Sequence, residues 1–87
     1  MDNAFGDAAA VPLIDACAKL AALTWLNLSG NPAIGDATFH RLAATLGGSK
    51  TSFGRLRKVK LLGTGAGGAA KKALEKACAA RKVNLEC

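Results

Sequence analysis

Eighty-seven residues with a formal net charge of +6 make one small domain, and a chain of this size buries only about 60–65% of the surface its unfolded form exposes. Hydrophobic residues are 51% of the chain, but many are alanine and the aromatic residues are Phe5, Trp25, Phe39 and Phe53, so the expected core is thin and closely packed. Asp15, Lys19, Asp36 and Arg41 interrupt the first half, leaving no apolar run of about 18 residues to cross a bilayer. The start Met1-Asp2-Asn3 is acidic where a secretory signal would be basic.

The first stretch, Asn3 to Leu20, reads as the second half of a repeat whose strand is absent. Gly6-Asp7 leads into Ala10, Leu13, Ile14 and Cys17, an apolar stripe at helical offsets. Asp7 is expected to cap this helix with its carboxylate. Pro12, inside the stripe, predicts a kink or a late start.

Leu23, Leu26, Leu28 and Asn31 follow in the spacing L-x-x-L-x-L-x-x-N. A short strand is expected to send the leucines inward and to leave Thr24, Trp25 and Asn27 on the other face. Asn31 is expected to offer its amide to backbone groups left unpaired by the turn. Gly35-Asp36 then leads into Phe39, Leu42, Ala43 and Leu46, the offsets of the first helix 29 residues later. Asp36 is read as an N-cap, like Asp7, and Gly47-Gly48 as a helix stop.

The polar stretch from Gly48 to Gly54 is expected to be a solvated connector. Leu56, Val59 and Leu61 then repeat Leu23, Leu26 and Leu28 after 33 residues, with Thr64 in place of the turn asparagine, able to make only part of its bonds. A third helix is expected to face Ala70, Ala73, Leu74, Ala77 and Cys78 inward, with Lys71, Lys72, Glu75 and Lys76 outward. Lys82 to Leu85 alternates as a short third strand.

This pattern, carried by Leu23, Leu26, Leu28, Asn31, Ile34, Gly35 and Leu42 and again by Leu56, Val59, Leu61, Gly67 and Leu74, resembles the ribonuclease-inhibitor-like subclass of leucine-rich repeats. The resemblance covers nearly the whole chain. It implies an α/β solenoid arc, with about three parallel strands on the concave side and three helices on the convex side. Residues 1–20 would be a partial repeat, 21–54 a repeat, and 55–87 a repeat with a terminal strand. It also implies a non-catalytic protein–protein interaction module. The first helix lacks a strand and the last strand lacks a helix, so exposed ends are expected. Either the chain is a piece of a longer array, or neighbours in a multi-subunit assembly cover it.

Charge and side-chain placement suggest where a partner would sit. Residues 1–48 carry four aspartates against Lys19 and Arg41, whereas residues 49–87 carry ten lysines or arginines against Glu75 and Glu86. Such a basic half favours a partner with an acidic surface. If equivalent positions sit side by side, Trp25, Lys58 and Lys82 form one row and Asn27, Lys60 and Asn84 the next, flanked by Arg57. An aromatic set among lysines is the composition of a contact surface.

Two rival readings use the same half. Gly63, Gly65 and Gly68 form G-x-G-x-x-G between a strand and a helix, and a later strand ends at Glu86, as in a dinucleotide-binding unit. Charge at Arg57, Lys58 and Lys60 on a strand that would be covered on both faces argues against it. Nucleic acid is not expected either, because the basic residues divide between the strand face and the helix exterior, which point opposite ways. Enzymatic roles lack parts: His40, the one histidine, has no triad or metal-ligand partner at suitable spacing. No cofactor or metal is expected. Cys17, Cys78 and Cys87 form no C-x-x-C pair, which indicates a reducing, intracellular compartment. Cys17 and Cys78 are read as core residues, and terminal Cys87 as a free thiol.

Overall fold

The computed structural model describes residues 6–20, 22–48 and 51–87. The expectations placed on Met1 to Phe5, and on Ser49 and Lys50 of the connector, lie outside the described residues. Six elements follow in chain order: α1 (Asp7–Ala18), β1 (Trp25–Asn27), α2 (Asp36–Gly48), β2 (Lys58–Lys60), α3 (Gly68–Arg81) and β3 (Asn84–Glu86). The strands form one open parallel sheet in the order β1-β2-β3. Parallel neighbours need a long crossover, and here α2 and α3 supply it. Leu26 pairs with Val59, and Val59 with Leu85, so the two leucine-spaced segments lie side by side and run the same way.

Alternation along each strand decides what is buried. Leu26 and Val59 are buried and Leu85 packs against them, while the residues on either side point to the opposite face. The helices complete the core with one spacing repeated three times: Ala10, Ile14 and Ala18 on α1, Thr38, Leu42 and Leu46 on α2, Ala70, Leu74 and Cys78 on α3. Burying each of the larger aliphatic side chains contributes about 1.5–3 kcal/mol. Helix α2 packs against α1 on one side and α3 on the other. The helices thus line one face of the sheet in chain order. No described residue covers the other face, although parallel sheets are usually covered on both.

Several sequence expectations change in detail. Leu13 is exposed and Cys17 only half-buried, because the buried stripe of α1 steps by four residues through Ala18, and among the described residues α1 has a helix on one flank only. Pro12 neither delays nor ends α1. It is exposed, and the carbonyl it leaves free belongs to exposed Ala8, where water can serve it. The connector is not wholly solvated: Phe53 is fully buried in the core, and its N–H donates to the Ala18 carbonyl at 3.0 Å.

The two aspartates do not cap their own helices. Gly6, without a side-chain bond, stands at the N-cap of α1. The Asp7 carboxylate instead accepts from the Gly35 N–H at 2.9 Å, the Thr38 N–H at 3.2 Å and the Thr38 hydroxyl, closing the first turn of the neighbouring α2. Asp36 does the same for α3, accepting from the Gly67 N–H at 2.7 Å. Each carboxylate therefore ties one unit to the next, which also explains why Thr38 is fully buried. Burial raises the Asp7 pKa, but the Thr38 hydroxyl and the Gly35 and Thr38 N–H groups together hold it below the usual value.

The turns after β1 and β2 repeat each other. Gly30 and Gly63 are both left-handed, at φ 80° and 73°, a conformation in which a Cβ is strained. The ladder continues through them, with Leu28 N–H donating to Lys60 O at 2.9 Å and Gly30 N–H to Leu62 O at 2.8 Å. The Asn31 amide donates to Leu28 O at 2.8 Å and Ser29 O at 3.3 Å, while the Thr64 hydroxyl donates only to Leu61 O, at 3.0 Å.

The third strand starts later than its alternation suggests. Helix α3 ends in a left-handed Lys82 at φ 57°. Lys82 N–H donates to Ala79 O and Val83 N–H to Cys78 O, the paired closure of a Schellman motif. That closure consumes Lys82 and Val83, so pairing begins at Asn84.

Candidate functional site

The open face of the sheet is built from outward positions of three strands. Its observed rows are Trp25, Lys58 and Asn84, then Asn27, Lys60 and Glu86. This corrects the expected rows. Lys82 lies outside the sheet at the end of α3, Asn84 stands beside Lys58 rather than Lys60, and Glu86 takes the place assigned to Asn84. The register moves by two residues because of the helix closure, so the alternation itself is preserved.

Glu86 changes the electrostatics of the face. Its carboxylate accepts from Lys58 Nζ at 2.6 Å and lies 3.9 Å from Lys60 Nζ. The hydrogen bond from Lys58, with the charges of Lys58 and Lys60, holds the Glu86 pKa below its ordinary value against the cost of desolvation. One carboxylate thus hydrogen-bonds Lys58 and lies within ion-pair range of Lys60, leaving a single net positive charge in the rows. Trp25 is 55% exposed, with Lys60 Nζ 6.0 Å from its ring centroid, at the outer limit of a cation–π contact. Asn27 accepts from the Ser29 N–H at 3.0 Å, which holds its side chain at the head of the turn. The result is a large apolar ring beside a pre-positioned charged cluster.

Arg57 is exposed just before β2 and borders a cleft of about 240 Å³ that Lys82 also lines. The expected rows place Lys82 beside Lys58, with Arg57 flanking them. Arg57 and Lys82 belong instead to the sheet's N-terminal edge.

The glycine-rich turn has its own work. The Gly65 N–H donates to Ile34 O at 2.7 Å, and a Cβ there would stand 2.7 Å from Pro32 O. The Gly67 N–H is taken by Asp36, so a carboxylate already sits where a pyrophosphate would approach α3. Gly63 serves the left-handed turn, Gly68 opens the helix, and Glu86 is paired with lysines. Close packing between two turns accounts for Gly65 and the left-handed backbone for Gly63, whereas a Cβ on Gly68 would meet nothing within 4 Å.

Other basic residues are likewise engaged. The Arg41 fork meets Asp15 at 2.8 Å through each of two nitrogens, joining α2 to α1 on the surface. This hydrogen-bonded pairing lowers the Asp15 pKa and raises that of Arg41. Arg81 donates to Leu46 O, Ser52 O and Phe53 O at 2.9–3.0 Å, bolting the connector and the end of α2 to α3. His40 is exposed on α2. Burial, with the nearby Cys87, pushes the Cys78 thiol up to about 11. Burial also raises the thiol of Cys87, helped by Glu75 and opposed by Lys71. Neither cysteine is tuned for reactivity. No helix among the described residues is long and apolar enough to cross a membrane.

No protein-family model matches this chain, and no curated protein or solved structure matches it either.

Proposed function

We propose that this chain is a short arc of leucine-rich-repeat-type units and acts as a non-catalytic protein–protein interaction module, binding through the open face of its sheet. The observation that carries the reading is Trp25, more than half exposed on that face and in register with Lys58. A large ring left in water beside fixed charges is the composition of an interaction hot spot. Three features support the repeat architecture: the uncovered parallel sheet, the one buried spacing in all three helices, and the aspartates that cap the following unit. Lys58, Lys60, Asn27 and Asn84 would frame the tryptophan, and Arg57 and Lys82 at the sheet edge would favour an acidic partner surface. Exposed Leu13 and Leu20 on the side of α1 and its following loop fit a subunit of a larger assembly.

The test uses the whole chain as bait in affinity capture from its source cell, read by mass spectrometry, beside a Trp25→Ala/Lys58→Glu bait. Loss of specific partners from the variant, with an unchanged far-ultraviolet circular dichroism spectrum, is the expected result. Equal capture by both baits would move the site off this face. Because the chain has a single tryptophan, a blue shift of its emission on adding the captured protein gives a second, direct readout.

A further inference from the structure

The cleft at the N-terminal edge of the sheet is lined by Gly54, Arg55, Leu56 and Arg57 from the segment entering β2, and by Arg81 and Lys82 from the end of α3. Four of these six residues are cationic, and none is acidic. Arg81 is locked to three carbonyl groups, so its charge is fixed in the wall. Arg55, Arg57 and Lys82 are exposed, and their side chains have no hydrogen-bond or ion-pair partner among the described residues. Lys58, Lys60 and Arg41 differ in this respect, since each faces a carboxylate.

The backbone singles out the same place. Among the described residues, Phe53 and Lys82 are the non-glycine positions with positive φ, at 53° and 57°. Phe53 immediately precedes Gly54 at the rim, and Lys82 is part of the lining. Such conformations cost free energy and persist only where the surroundings over-determine them. Burial of the Phe53 ring holds one, and the closing bonds of α3 hold the other.

We propose that this cleft receives a phosphate monoester carried on a side chain of the protein partner. The carrier rests on the interaction reading above; the anion site does not. Three unpaired cations are poorly matched by a carboxylate of charge −1. A monoester carries about −1.5 to −2 at pH 7 and offers three acceptor oxygens, which two guanidinium forks can bind bidentately. A nucleic-acid phosphodiester carries one charge, and its bases would need a stacking ring, which the lining lacks.

The test is a ¹⁵N amide-shift titration of the whole chain with O-phosphoserine at constant ionic strength. Inorganic phosphate, acetate and a single-stranded oligothymidylate are run beside it. Saturable shifts at Gly54, Arg55, Arg57 and Lys82 are expected from phosphoserine, with none from acetate at equal concentration. Affinity should fall about threefold or more between pH 7.5 and 5.5, as the monoester regains its second proton near pH 6. Arg57→Gln and Lys82→Gly should each weaken binding several-fold. Lys82→Gly places glycine in a left-handed position that favours it, so its melting temperature should rise and lost binding cannot be blamed on lost fold. Trp25→Ala should leave phosphoserine binding intact, which separates this site from the sheet face. Shifts spread equally over Lys71, Lys72 and Lys76, or equal shifts from acetate, would overturn the proposal. Tighter binding of inorganic phosphate than of phosphoserine would reassign the site to the free anion. Tighter binding of the oligonucleotide at the same amides would reassign it to a phosphodiester.

Discussion

The two junctions between neighbouring helices do the same job with different chemistry. Between α1 and α2 the ties are polar: Asp7 closes the first turn of α2, and Asp15 pairs with Arg41 across the surface. Between α2 and α3 there is one such cap, from Asp36, but the helices pack along more of their length and Arg81 binds the end of α2 and the connector. Apolar burial is the larger contribution per side chain, whereas an exposed ion pair adds little. The second junction should therefore belong to the last part of the fold to open, and α1 to the first.

Cutting the same methyl-rich volume from each side separates the two. Leu74 and Ile14 are both fully buried. Leu74→Ala should cost about 2–5 kcal/mol and lower hydrogen-exchange protection in α2, α3 and the sheet together. Ile14→Ala, with a smaller helix interface behind it, should expose α1 amides while leaving those of α3 protected. Denaturant unfolding followed residue by residue by NMR would read both. Equal loss of protection everywhere in both variants would mean that the two junctions open as one.

Removing the first cap is the next largest effect. Asp7→Ala takes away three acceptor contacts and leaves the buried Thr38 hydroxyl without its partner, a cost of about 1–3 kcal/mol. The Asp7 pKa is depressed in the folded state. Its contribution is therefore present above the ordinary value near 3.8 and is lost as pH falls through the lower folded value. Wild-type stability should drop in that acid range, and Asp7→Asn should drop less steeply. Superimposable pH profiles of urea midpoints would remove the cap from the account.

What was legible beforehand and what was not divides along local and non-local lines. The 33-residue offset between Leu23, Leu26, Leu28 and Leu56, Val59, Leu61 was readable because strand pairing follows the inward pattern of side chains. It brought Trp25 and Lys58 together in the correct row. Asp7 and Asp36 were misassigned because a capping rule sees only the residue and its own helix. Gly6 sits so close to Ala33, 3.2 Å from a would-be Cβ, that the chain enters α1 pressed against the next unit and Asp7 reaches across. The third strand slipped because its left-handed helix end carries lysine instead of the glycine that would have announced it. Phe53 was hidden as a lone apolar residue in a polar stretch. The pairing of Glu86 with Lys58 and Lys60 could be found only once that slip was corrected.

The smallest effect compares the two turns. Asn31 serves two carbonyls but keeps its own side-chain oxygen buried with no partner among the described residues, a charge against the bonds it makes. Thr64 serves one carbonyl, and the second, on Leu62, already accepts the Gly30 N–H from the preceding turn. An amide at position 64 would therefore add a bond to a carbonyl that is not in need of one. Thr64 is half-buried, so the new side-chain oxygen would be left partly in water and cost little. Thr64→Asn should stabilise by no more than about 0.5 kcal/mol, while Asn31→Thr should lose about 0.5–1.5 kcal/mol, one bond partly offset by the vanished orphan oxygen. A gain above about 1.5 kcal/mol for Thr64→Asn would mean the second turn is under-bonded after all.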